Sequence, residues 1–213
     1  MHVGIVEHKM QPIVHQLPFS DSVALVAAEV ASTQPLLEST HVLTIDGPAG
    51  AGKSTMATAL STLFDDAPIV HMDDLYRGWD DALSPTLGAT LRDQILKPIA
   101  LGKSGGYRRW DWHRNLPGDA VTIPQHQFLI LEGVGASQRV VRPYVAPMIW
   151  IGVESSIGLD RVLTRDAEIV TDHEGFKARM IAWQGAELLH FEQESTFDTA
   201  HLRFDSIRWT ATN

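Results

Sequence analysis

Residues 47–55, Gly47-Pro-Ala-Gly50-Ala-Gly52-Lys53-Ser54-Thr55, satisfy the pattern G-x-x-x-x-G-K-[ST]. This pattern constrains the fold because it works only between a buried strand and the start of a helix. Its glycines let the backbone N–H groups of Gly47, Ala49, Gly50, Ala51 and Gly52 curl around a phosphate without Cβ clashes. The helix that follows adds its positive end. Both flanks are present: His41-Val-Leu-Thr-Ile-Asp46 reads as a buried strand and residues 53–63 as a helix. Lys53 is expected to reach the β- and γ-phosphates and Ser54 to ligate Mg²⁺, with Thr55 in the same cradle.

A phosphate ligand stands against the charge of the chain, which is −9 from 17 Lys and Arg and 26 Asp and Glu. Nucleic-acid binding needs clustered cations, so no nucleic-acid partner is expected. Cysteine is absent, which excludes disulfides, thiolate metal sites and a Cys nucleophile. No window approaches the roughly 18 apolar residues of a membrane span, and the first 20 residues have no signal-peptide core. The expectation is a cytoplasmic protein with a small-molecule partner and no membrane partner, self-association as a homo-oligomer being left open.

Along the chain, residues 1–20 contain Pro12 and Pro18 and read as an irregular arm. Residues 21–31 read as a helix capped by Ser20 or Asp21. Residues 67–71, 127–132, 147–152 and 202–207 read as further strands. Residues 84–101, with Leu87, Leu91, Ile95 and Ile99 one turn apart, read as a helix, as do 156–165 and 176–194. Short apolar strands alternating with helices predict an α/β chain, a three-layer α/β/α P-loop NTPase fold with about five parallel strands. One domain over residues 21–213 is expected, with a short lid near 160–175.

Such a loop serves switches, motors and small-molecule kinases alike. A guanine-nucleotide switch usually carries Asn-Lys-x-Asp, but the only asparagines, Asn115 and Asn213, do not begin that motif. Asp172-His-Glu-Gly175 matches a short D-x-x-G pattern and Lys103-Ser-Gly-Gly106 faintly resembles a transporter signature; neither has its partner motifs. Asp73 and Asp74 follow the second strand, where a carboxylate faces the substrate crevice and could take a hydroxyl proton. Glu132 ends the third strand and could hold Mg²⁺ through water or position the acceptor. Arg161 and Arg165 share a helix face, from which they could offset charge on a moving phosphoryl group or simply pair with Asp160 and Asp166. In Tyr107-Arg-Arg-Trp110-Asp111-Trp112-His113-Arg114, aromatics alternate with polar groups. That run suits either a strand with one wet face or an acceptor pocket that stacks on a planar ligand.

Taken in order, residues 47–55, Asp73-Asp74-Leu75-Tyr76, Trp110-Asp111-Trp112, Leu131-Glu132-Gly133 and the Arg161–Arg165 helix resemble the uridine kinase family of P-loop kinases, in particular a bacterial ATP-binding branch. The resemblance implies Asp73 as base, and Tyr76 and Trp110 to Trp112 around a nucleoside; on the pocket reading of the run itself, His113 and Arg114 stand beside them. It also implies Glu132 near the metal and acceptor, and Arg161 and Arg165 in the lid. The chain departs from the family in having Trp-Asp-Trp for Tyr-Asp-Phe, and in the acidic lid from Asp166 to Glu174. The expected reaction moves the γ-phosphoryl of ATP, with Mg²⁺, to a hydroxyl of a pyrimidine nucleoside. The loop also resembles that of cytidylate kinases, so a nucleoside monophosphate acceptor is the alternative, supported by the cations from Arg108 to Arg114. A non-catalytic ATP-binding regulator is a third reading, suggested by the acidic lid.

Overall fold

A computed structural model describes residues 12–209. Five strands, β1 (His41–Asp46), β2 (Ile69–His71), β5 (Phe128–Glu132), β6 (Met148–Gly152) and β7 (Leu202–Asp205), form one parallel sheet in the order β2-β5-β1-β6-β7. The fold is therefore the expected three-layer α/β/α arrangement. A separate antiparallel pair, β3 (Gly105–Asp111) and β4 (Leu116–Ile123), forms an arm beside it.

The layers follow from the two-residue period of the strands. Leu43, Ile45, Ile130, Ile149 and Ile151 point to one face and pack with Val26 and Val30 of α1 (Phe19–Ser32) and Met56 and Leu60 of α2 (Lys53–Leu63). Val42, Leu129, Leu131, Met148 and Trp150 point to the other face. There they meet Leu87, Leu91 and Ile95 of the segment after β2, and Phe191 of α6 (His173–Glu194). Each such aliphatic side chain, fully buried, contributes about 1.5–3 kcal/mol. Thr44 on β1 stays buried because its hydroxyl meets that of Ser137 at 2.6 Å.

Several boundaries differ from the sequence reading. Phe19 and Ser20 lie inside α1, with Pro18 at the cap position and no side-chain cap. Of the expected arm, residues 1–11 lie outside the described residues. His15 runs parallel to Phe204 at the sheet edge, its N–H donating to Arg203 O at 2.8 Å. The expected helix over 84–101 is present as α3 (Pro85–Thr90), a π-helical stretch (Leu91–Leu96) and α4 (Lys97–Ala100). The wider turn lies just before Pro98, which has no N–H to return to Gln94. Asp172 caps α6 by accepting from Gly175 N at 2.9 Å, so the D-x-x-G match is a helix cap.

After α2 and β2, a single 3₁₀ turn (Met72–Asp74) carries both aspartates. β6 leads into α5 (Ser155–Asp166), and a last short helix, α7 (Thr196–Thr199), precedes β7. Among the described residues no helix is long and apolar enough to cross a membrane.

Candidate active site

The carboxyl ends of β1, β5 and β2 open into a cleft of about 1370 Å³ that contains the phosphate loop. A smaller cavity of about 360 Å³, lined by Glu38, Gly102 and Gln125, lies by the amino ends of β1 and β5. Open α/β sheets bind ligands at the carboxyl ends, which favours the large cleft.

The loop is held tightly against the sheet. Gly47 has φ +137°, and a Cβ there would lie 2.0 Å from Ile151 O; at Gly50, φ +76°, it would lie 2.2 Å from Gly158 O. Only glycine fits either position. Lys53 is buried, its Nζ donating to Pro48 O at 2.9 Å. Arg161, for which the sequence left open a place over the nucleotide or a pairing with Asp160 or Asp166, spans the loop and the chain after β7. Its Nη1 donates to Gly50 O and Ser206 Oγ, both at 3.2 Å, and its Nη2 to Ser206 O at 2.9 Å. Arg165 faces the cleft while its guanidinium holds Asp166 at 2.6 and 2.7 Å.

Ser54 and Glu132 meet, the hydroxyl donating to Oε1 at 3.1 Å, and His71 Nδ1 lies 2.5 Å from the same oxygen. The hydrogen bond that Glu132 accepts from the His71 ring, and the charge of Glu132, push the His71 pKa up against the effect of burial. A hydroxyl and a carboxylate beside a phosphate loop are the hard-oxygen donors that Mg²⁺ takes together with phosphate oxygens. These residues fit that ion.

The two aspartates differ. Asp74 is engaged by the arm, with Arg109 Nε at 3.0 Å and the Tyr107 hydroxyl donating to its Oδ2 at 3.0 Å. The Asp73 carboxylate carries no hydrogen bond among the described residues. It opens to the cleft, yet protein rings it closely enough to raise its pKa. Desolvation is the main cause and Glu132 adds to it; Lys53, Arg165 and His71 oppose. Its backbone carbonyl accepts from Trp112 Nε1 at 3.1 Å.

Aromatic side chains build the wall beyond Asp73. Trp79 lies 5.4 Å from Trp112 and 5.6 Å from Trp183, Tyr76 lies 5.6 Å from Trp183, and Arg179 sits 5.5 Å over Trp79. Tyr76 is fixed by its hydroxyl, which donates to Val134 O at 2.7 Å. Of the run expected as an acceptor pocket, Trp112 and His113 line the cleft, and Trp110, Asp111 and Arg114 do not. Asp111 Oδ1 accepts from the N–H groups of His113 and Arg114 at 3.0 and 2.9 Å, so it shapes the turn of the arm. Segment 160–175, expected as a lid, contributes Asp160, Arg161, Thr164, Arg165, Asp166, Ile169 and Val170 to the cleft. Near Gly52, Trp209 and Phe19 meet edge to face at 5.3 Å and form another apolar wall.

Two buried carboxylates behind the loop were not foreseen. Asp46 accepts from Gly47 N, Gly135 N and Ser137 N at 2.8, 3.1 and 2.8 Å; burial still lifts its pKa to about 6. Its place as last residue of the strand before the loop was the available signal. Glu187 on α6, 3% exposed, accepts from Ala49 N at 3.1 Å, and burial pushes it up to about 7. Nothing near it in sequence marks it. A carboxyl raised from 4.5 to about 7 stabilises the fold in its neutral form; that stability is complete below pH 4.5 and lost as pH rises through 7. Glu187→Gln, with no nucleotide present, is therefore expected to exceed the wild type by about 1–3 kcal/mol at pH 8 and to match it below about pH 4.5. Chemical denaturation at the two pH values measures this, and a Gln variant less stable at pH 8 would contradict it.

No protein-family model matches this sequence, and comparison with curated proteins gives no match. Among solved structures, the fold is that of uridine-kinase-like P-loop kinases. A provisionally named uridine kinase from Bacillus stearothermophilus superposes with a TM-score of 0.59 at 17% identity, over 87% of this chain and 98% of that one. A provisionally named fructose transport system kinase from Silicibacter sp. TM1040 gives 0.57 at 18% identity, over 89% and 98%.

Proposed function

We propose that this chain is an ATP-dependent phosphotransferase that moves the γ-phosphoryl group to a hydroxyl of a small planar molecule, with a pyrimidine nucleoside as first candidate. The observation that carries the reading is the unengaged Asp73 carboxylate, set between the Lys53–Ser54–Glu132 group and the aromatic wall. Loop N–H groups and Lys53 hold the phosphates. Ser54 and Glu132 would hold Mg²⁺, which would offset phosphate charge. Asp73 accepts the proton as the acceptor oxygen bonds to the γ-phosphorus and the bond to the bridging oxygen breaks, leaving ADP. Because phosphoryl transfer is mostly positioning and charge stabilisation, these groups suffice.

The monophosphate alternative drew on the cations from Arg108 to Arg114. Arg108 donates to Gly118 O at 2.9 Å and Arg109 is paired with Asp74, and neither arginine lines the cleft. The likeness in fold to two provisionally named kinases supports phosphoryl transfer as the class of reaction. Stacking of a ring on an aromatic side chain contributes about 1–3 kcal/mol, so Trp79→Ala is expected to raise the acceptor KM about 5- to 100-fold. Its ATP affinity should stay at the wild-type value. Steady-state kinetics with the acceptor varied test this, and an unchanged acceptor KM would remove Trp79 from the pocket.

A further inference from the structure

Glu187 has no part in the transfer step, yet it occupies a phosphate-loop donor. Its Oε2 holds the N–H of Ala49 at 3.1 Å, and that N–H belongs to the loop whose amides cradle phosphate. One N–H cannot give a full hydrogen bond to two acceptors, so carboxylate and phosphate compete for it. The surroundings sharpen the competition. Lys53 from α2 is the cation that faces Glu187; Asp46 from β1 faces it as a like charge. Trp183 lies one turn earlier on α6, Tyr76 of the segment after β2 is close enough to sense its charge, and His190 one turn later lies against Gly135.

A phosphate entering the loop takes two of the three groups that favour the ionised carboxylate, the Ala49 N–H and the charge of Lys53, and leaves only the side chain of Trp183. A buried carboxylate deprived of both is costly and neutralises by binding a proton. We propose that Glu187 is a latch on the phosphate loop: its carboxylate holds the Ala49 N–H until a nucleotide phosphate takes that N–H, whereupon Glu187 binds a proton. Glu187 is thus a positioning residue, acting through Ala49, and the proposal rests on the reading above only in requiring that nucleotide bind this loop. Burial already sets Glu187 near pH 7, so the uptake falls in an accessible range.

The test is calorimetric titration of wild type and Glu187→Gln with a non-hydrolysable ATP analogue and Mg²⁺, at pH 7.5 in two buffers of different ionisation enthalpy. Wild type should take up at least about half a proton more than the variant. Between pH 7 and 8 its affinity should fall about fivefold more than that of the variant. His71 titrates in both proteins and cancels in the difference; Asp46, with its pKa at about 6, is mostly ionised at pH 7.5 in nucleotide-free protein with or without the Glu187 charge beside it. A second measurement uses wild type alone. The Ala49 amide resonance should move with pH near neutrality in nucleotide-free protein and stay fixed in the complex. Equal proton uptake by the two proteins, or an Ala49 resonance that does not titrate, would overturn the latch. Nucleotide binding and acceptor phosphorylation without that uptake would sink the latch alone, whereas no binding at all would remove the phosphotransfer reading with it.

Discussion

Asp73→Asn is expected to lower turnover by about 10²- to 10⁴-fold while ATP affinity stays near the wild-type value. Asparagine keeps the size of the side chain and cannot take the proton of an attacking hydroxyl. The carboxylate has no hydrogen bond among the described residues, so its replacement leaves no partner unsatisfied. The pH profile carries a second signature. A base must be ionised, and burial raises the Asp73 pKa, so the rate should fall on acidification at a higher pH than an ordinary carboxylate would give. Asp74→Asn makes the contrast, because it weakens the contact with Arg109 and Tyr107 and should act through the arm and the acceptor KM. Unchanged turnover in Asp73→Asn would remove it as base.

Lys53→Met is the second large effect, expected to weaken ATP binding by about 30-fold or more. Truncating one member of a buried charge group costs roughly 2–5 kcal/mol. Lys53 faces Asp46, Asp73 and Glu187 together, and lowers the pKa of each. Its loss removes a phosphate contact and leaves three carboxylates without that cation. Equilibrium titration with ATP and Mg²⁺ measures the change, and an affinity within a few-fold of wild type would contradict the role of the loop.

The parts of this molecule written locally in sequence were legible. β5 and β6 are apolar up to their last residue and β1 is broken between its ends only by Thr44, and the loop glycines are dictated by contacts as close as that of Gly47 with Ile151. The arm was half visible. Residues 107–114 alternate as a strand should, but its partner β4 contains Pro117 and Gly118, residues that argue against a strand. The acceptor wall was less visible still, because Trp79, Trp112 and Trp183 come from three distant segments that only the fold assembles. Glu187 meets Ala49 across 138 residues, on a helix where apolar and charged residues mix without a clear stripe. Arg161 was legible only in part: its helix could be read from the sequence, but the partners of its guanidinium, Gly50 and Ser206, lie 111 and 45 residues away.

The direct test of the central claim is to incubate the purified protein with ATP, Mg²⁺ and a panel of nucleosides, nucleoside monophosphates and other hydroxyl compounds, following ADP and phosphorylated product together. ADP formation is expected to depend on one planar hydroxyl acceptor, with one phosphorylated product per ADP. Tight ATP binding with no acceptor-dependent ADP formation across the panel would contradict it.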